Sequence, residues 1–319
     1  MKIAIIGGGW IGCHLASKLM SNHSVKIFEQ KDKLFTQTSY NNQNRLHLGY
    51  HYPRNFKTRQ LCKETYDKFL RDYGQFTNHI DRNYYCVPEN SNIDFETYLQ
   101  IFDHDVYIVN SGLLNIEGAI NTKERHIDFY AIHQHFNKTL KDIFVQENID
   151  NSSDLSNSFD LVLNCTNNFL SPSKNSYYEL TLTLIYDRIK SSTFDSITLV
   201  DGDFFSIYPY QKNKYTLTDV EHTPLKVFSS IEELHSFEFT TEMLDEKKNL
   251  MESKVKYYYP EFNSHFRYHG FFLSTKSKTV NSSANRYPVI QQNENVISCF
   301  TGKIQGIYPI ENFITRIIS

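Results

Sequence analysis

Three residue groups in this sequence could do chemistry. The first is Gly7, Gly9 and Gly12, in Gly-x-Gly-x-x-Gly spacing, with Glu29 lying 22 residues after Gly7. Gly7 permits a tight turn, Gly9 lets a pyrophosphate reach the backbone, and Gly12 lets a helix pack close to strands. A carboxylate at Glu29 accepts hydrogen bonds from ribose hydroxyls and repels a 2′-phosphate, so NADP is disfavoured. FAD and NAD both stay open on these residues. The second group is Arg45, His47 and His51, within Asn44–Pro53. Imidazole exchanges protons near neutral pH, and guanidinium is a permanent cation. The third is Arg286, whose fork can grip a carboxylate through two parallel hydrogen bonds.

The elements around the glycines are those the motif requires. Lys2–Ile6 is an Ile-rich run suited to a buried parallel strand. Cys13–Met20 sets Leu15, Ala16 and Leu19 on one helical face, and Val25–Phe28 is a second strand ending at Glu29. A helix N-terminus after the turn presents free N–H groups to phosphate. Further on, helices are expected over Thr58–Tyr73, Phe95–Phe102 and Ile127–Phe144, and two more within Ile231–Tyr258. Strands are expected at Tyr84–Val87, Val106–Val109, Phe144–Ile149 and Phe159–Cys165. An antiparallel block follows, at Glu179–Tyr186, Ser196–Val200, Phe204–Tyr208 and Tyr215–Thr218. Phe271–Ser274 and Val296–Cys299 complete the strands, and a helix closes the chain.

Composition excludes several classes. The chain has 319 residues, enough for two domains, with a net charge of −3 that offers nothing to a nucleic-acid backbone. No apolar run reaches a membrane span, and the glycine-broken N-terminal strand is not a signal peptide. Five cysteines are scattered without a Cys-x-x-Cys pair, so neither zinc nor a disulfide framework is expected, and a reducing cytoplasm is the default. His265 and His269 are four apart, but no third ligand stands out, so no metal is expected.

The sequence resembles the D-amino-acid-oxidase-like (DAO) superfamily of FAD-dependent oxidoreductases over nearly its whole length. Ile5–Gly12, with Ala16, Leu19 and Glu29, looks like the superfamily's ADP-binding motif. Leu46–Tyr52 is similar to an Ile-His-x-Gly-x-x-Tyr stretch of the hydroxyglutarate-oxidase branch. Asp160–Thr166 looks like the Asp-x-Val-Val-Asn-Ala-Thr-Gly strand, with Asn167 in place of the glycine. Arg286-Tyr287-Pro288 and Gly302–Ile307 resemble the Arg-x-Pro segment and the glycine-rich loop that meets the flavin.

The resemblance implies an α/β fold. A discontinuous Rossmann-like FAD-binding domain would take residues 1–75, 120–170 and 280–319. An inserted α+β substrate domain on an antiparallel sheet would take 76–119 and 171–279. It implies FAD held by Gly7, Gly9, Trp10, Ile11, Gly12, Glu29, Asn44, Arg45, Val145, Thr166, Gly302, Lys303 and Ile304. It implies His47, Arg45 and Arg286 as catalytic residues. Tyr208, Tyr210 and Tyr268 are candidates to line the substrate pocket, though packing is the commoner role for a tyrosine. The implied reaction is hydride transfer from a small amine, amino acid or hydroxy acid to flavin N5. Two alternatives stay open. One is a non-redox flavoenzyme on a nucleotide sugar, since Gly-Lys-Ile-x-Gly is similar to galactopyranose-mutase-like proteins. The other is an NAD-dependent dehydrogenase.

Overall fold

The computed structural model describes residues 1–102, 106–173, 176–279 and 286–318. Its centre is a six-stranded sheet in which Lys2–Ile6 lies between Ser24–Glu29 and Leu161–Asn164. Val296–Phe300 adds parallel to Leu161–Asn164, Phe144–Gln146 adds parallel to Ser24–Glu29, and Val289–Asn293 closes one edge antiparallel. Ile3, Ala4 and Ile5 have no exposed surface, as a strand covered on both faces demands. Each such isoleucine contributes about 2 kcal/mol of apolar burial.

The first helix spans Trp10–Leu19, starting three residues before the expected Cys13. Phe56–Tyr73 is capped by the Asn55 side chain, which accepts from the Thr58 N–H at 2.9 Å. The expected helix Ile127–Phe144 is shorter. Ile127 belongs to a strand, Arg125–Ile127, because the Asp128 carboxylate caps Ala131 and starts the helix at Phe129. That helix ends at Thr139, and one tight turn over Lys141–Ile143 leads into the next strand.

A nine-stranded sheet forms the second layer. It is antiparallel apart from one parallel pair, Ser196–Leu199 against Asn83–Pro88. The expected short strand at Phe271–Ser274 is 14 residues long, Phe266–Thr279, and pairs along its length with Ser176–Arg188. Gly270 and the polar Lys276 and Lys278 hide its period in sequence. Strands at Ile116–Asn121, Pro224–Phe228 and Val289–Asn293 were not expected. A three-stranded sheet of Arg45–Leu46, Arg125–Ile127 and Thr77–Asn78 completes the set. The boundary expected at residue 280 falls outside the described residues.

Candidate active site

The turn after the first strand has the geometry a phosphate needs. Gly7 has φ +99°, open to glycine at little cost. A Cβ on Gly12 would lie 1.9 Å from the Gly7 carbonyl oxygen, so the turn and the helix meet backbone to backbone. Gly9 caps the helix without a side chain, and a Cβ there would meet Ser39 Oγ at 2.9 Å. Ser39 Oγ also accepts from the Trp10 N–H at 2.9 Å. Glu29 closes the site: one carboxylate oxygen accepts from Gly8 N–H at 2.8 Å and the other from Lys31 N–H at 3.0 Å. Trp10 and Ile11 turn their side chains into the core, where Trp10 meets Phe35, Phe69, Tyr73 and Phe136. Only their main chains face the turn.

Val145 lies opposite Phe28, beside the end of the Glu29 strand. Thr166 follows Leu161–Asn164, and its hydroxyl bonds Asn164 Oδ1 at 2.8 Å while accepting from Leu170 N–H at 3.0 Å. Asn167, the residue in the glycine position, has φ +57°. Asparagine tolerates that left-handed region, so the substitution preserves the turn.

His47 and His51 come together by a turn, not along an extended strand. Gly49 has φ +109° and its carbonyl accepts from Tyr52 N–H at 2.9 Å. The two imidazole centroids are then 6.0 Å apart. Glu124, with no exposed surface, organises this loop. Its Oε1 accepts from Leu48 N–H at 2.7 Å and Gly49 N–H at 3.2 Å, and its Oε2 accepts from the Tyr85 hydroxyl at 2.6 Å. His47 Nδ1 lies 3.4 Å from the same Oε2. Burial, with the Lys303 ammonium beside it, lowers the His47 imidazole to about 4. Burial likewise pushes His51 well down, so both rings are neutral at pH 7.

Arg45 is pinned beneath this loop. Its Nη1 donates to Thr198 Oγ1 at 2.6 Å and its guanidinium lies 4.0 Å from the Tyr208 ring centroid. Its Nε and Nη2 are buried without a hydrogen-bond partner among the described residues, as is Nδ1 of both histidines. Asn44, 1% exposed with φ +50°, aims the chain into this arrangement.

The third wall is the loop before the last helix. A Cβ on Gly302 would lie 3.0 Å from Arg286 Cδ, so Arg286 crosses this glycine at close range. Lys303 Nζ lies 4.4 Å from the Tyr52 ring centroid, and withdrawal from water lowers it to about 8. Ile304 opens the short turn Ile304–Gly306 and packs on the core. Gln305 Nε2 donates to the carbonyls of His47 and Cys62, at 2.8 and 2.9 Å.

The structure therefore brings Arg45, His47, His51, Arg286, Gly302 and Lys303 together, some distance along the chain from the glycine turn. Tyr208 joins them through Arg45. Tyr210 does not: it stacks between Phe129 and Phe272. Tyr268 packs on Tyr186 with Lys248 over its ring. His265 bonds the Tyr259 hydroxyl, and His269 faces Asp187 at 3.0 Å, so the two share no ligand position. Four residues were missed in sequence. Glu124 and Gln305 are isolated polar residues whose burial no local pattern announces. Ser39 lies in an aperiodic loop. Lys276, lowered to about 8 by burial and facing Arg286 and Lys303, was hidden in the long strand.

Comparisons with known proteins bear on the family and the fold. A family model described as FAD dependent oxidoreductase, DAO, matches residues 2–95. The FAD-dependent monooxygenase FPY4 of Fusarium mangiferae is 31% identical over 337 residues, covering 99% of this chain and 91% of its own length. The FAD-dependent monooxygenase kojA of Aspergillus flavus is 26% identical over 374 residues, covering 100% of this chain and 86% of its own. Among solved structures, L-α-glycerophosphate oxidase of Mycoplasma pneumoniae, with FAD bound, superposes with a TM-score of 0.76 at 12% identity, over 99% of this chain and 94% of the other. Glycine oxidase of Geobacillus kaustophilus gives 0.70 at 11% identity, over 98% and 93%. These two likenesses are of fold.

Proposed function

The chain belongs to the DAO family of FAD-dependent oxidoreductases, and from that premise we propose that it takes hydride from a small amine, amino acid or hydroxy acid. When bound, FAD supplies the two-electron acceptor. The residues present fit it at both ends. The glycine turn leaves room for a pyrophosphate, with Glu29 beside it for a ribose. At the far end, the buried unpartnered atoms of Arg45 and His51 provide polar contacts for a ring system. In this reading Gly7, Gly9, Gly12, the main chains of Trp10 and Ile11, Glu29, Val145 and Thr166 hold the adenosine diphosphate half. Asn44, Arg45, Gly302, Lys303 and Ile304 hold the ring half.

The observation that carries the proposal is the neutral, buried His47 set among permanent cations. A neutral imidazole accepts the proton that an alcohol or ammonium group must lose when its carbon gives up hydride. Arg286 grips the anionic end of the substrate and orients the reacting carbon. Arg45 and Lys303 hold positive charge where negative charge accumulates. We also assign 1–75, 120–170 and 280–319 to a FAD-binding domain and 76–119 with 171–279 to a substrate domain. The composition of the six- and nine-stranded sheets supports that division.

A second reading rests on the 31% relative, which is named as a monooxygenase. Oxygen would then be a co-substrate, one atom entering the product. An anaerobic screen separates the two. Bleaching of the flavin band by an amine, amino acid or hydroxy acid without NADH or NADPH supports the hydride reading. Bleaching by the pyridine nucleotides alone, with ¹⁸O in the product of a separate aerobic turnover under ¹⁸O₂, supports the monooxygenase. A screen in which the named substrate classes never bleach the flavin rejects the first reading.

A further inference from the structure

Glu124 has no sequence motif around it, and no Lys or Arg among the described residues forms an ion pair with it. Its carboxylate is nonetheless fully buried. Three donors, Leu48 N–H, Gly49 N–H and Tyr85 O–H, fix both oxygens at 2.6–3.2 Å. A carboxylate held by several donors stays ionised. The fourth approach to it is His47 Nδ1, at 3.4 Å from Oε2. The approach is not a formed hydrogen bond, and the nitrogen has no hydrogen-bond partner among the described residues. Titratable or charged groups around the pair include Arg45, His51, Tyr52, Cys62, Tyr66, Tyr85, Tyr98, Tyr208 and Lys303.

A neutral imidazole has one N–H and one lone pair. An ionised carboxylate can only accept, so the nitrogen facing it carries the hydrogen. We propose that Glu124 is a positioning residue that fixes His47 as the Nδ1–H tautomer and leaves Nε2 as the proton acceptor. The same carboxylate orders the Leu48–Gly49 backbone that turns His51 toward His47. When a substrate O–H or N–H bond breaks, its proton goes to Nε2, and the imidazolium formed keeps Glu124 as counter-ion. Tautomer, ring direction and loop shape thus hang on one side chain. This rests on the reading of His47 as the base.

The test is nitrogen NMR of protein labelled with ¹⁵N-histidine, in the FAD-loaded form, with His47 assigned by its loss in His47→Gln. Wild-type protein at pH 7 is expected to show a protonated Nδ1 and a bare Nε2 at His47. Glu124→Gln keeps an oxygen for the two backbone donors but can turn an amide N–H toward His47. It should move the proton to Nε2 and lower the imidazole's titration by a unit or more, with the flavin band retained. A bare Nδ1 in the wild type, or an unchanged tautomer and titration in folded Glu124→Gln, overturns the proposal. The wild-type spectrum decides the tautomer even where the variant does not fold. A wild-type tautomer as expected, with substrate-driven bleaching undiminished in His47→Ala, overturns instead the assignment of His47 as base, and the proposal falls with it.

Discussion

Gln305 holds His47 by its backbone across 258 residues of sequence, its amide donating to the His47 carbonyl at 2.8 Å and to the Cys62 carbonyl at 2.9 Å. One side chain, 1% exposed, thereby ties the loop before the last helix to the histidine loop and to the helix Phe56–Tyr73.

Gln305→Leu should therefore damage both stability and catalysis. It strands two buried carbonyls, at about 1–3 kcal/mol each. Urea unfolding should show a loss of about 2–4 kcal/mol. Substrate-driven bleaching should slow more than FAD occupancy falls, because the clamp acts on the loop that carries His47. A variant as stable as wild type would mean water replaces the amide.

The two glycines of the turn should fail differently. At Gly9 a side chain meets the movable Ser39 hydroxyl, so Gly9→Val should fold yet lose bound FAD. At Gly12 a Cβ meets the Gly7 carbonyl, which belongs to the central strand's turn. Gly12→Ala should lower the melting temperature of the protein itself. Flavin absorbance per protein, set beside thermal melts by circular dichroism, checks both. Glu29→Arg should weaken FAD binding and also lower the melt of the cofactor-free protein, since it removes the acceptor of the Gly8 and Lys31 N–H groups.

His47→Ala should slow anaerobic flavin reduction by about two to four orders of magnitude, the usual worth of a positioned base, with occupancy unchanged. Arg286→Ala should chiefly raise the substrate concentration needed for half-maximal rate, since a grip on an anion exists in ground and transition states alike. Arg286→Lys should restore part of it, a point charge lacking the fork. Stopped-flow bleaching across substrate concentrations measures all three. Wild-type rates and saturation in each would make these side chains scaffold.

Acid should begin to weaken the fold above the ordinary carboxylate range, through its buried histidines. Burial lowers His47 and His126 to about 4 in the folded chain, against an ordinary 6.5. Between those values the unfolded chain binds protons that the folded one refuses. Stability is therefore full above about pH 6.5 and falls as pH drops toward 4, by about 1.4 kcal/mol per pH unit for each histidine. His126→Phe should remove one proton's worth of that slope in urea titrations at pH 7 and pH 5. An unchanged slope would show that His126 is protonated in the folded protein.

Much of the nucleotide half was legible because its signals are local. Strand, glycine turn, helix and acid lie within the first 29 residues, and each position has one steric job. The site's cations were legible too, as types in suggestive segments. What sequence could not carry was who faces them. Glu124 and Gln305 reach the site from chain positions far from His47, and their neighbours show no period or motif. The strand Phe266–Thr279 was read at a third of its length because apolar alternation is broken by Gly270 and by lysines facing a polar pocket. The helix at Phe129 was over-extended for the opposite reason: apolar spacing continued beyond the caps that end it.

The strand Lys2–Ile6 lies in the middle of its sheet. Its neighbour on one side, Ser24–Glu29, emerges at once, and the two with Trp10–Leu19 can form a local unit. Its neighbour on the other side is fastened by Lys2 N–H to the Asp160 carboxylate, 158 residues later, and the next strand out is Val296–Phe300. Closing loops of that length must be endured before the contacts that reward them exist. During synthesis one edge of this Ile-rich strand therefore waits for a partner 158 residues further along the chain, and a chaperone that shields strand edges would find its target there.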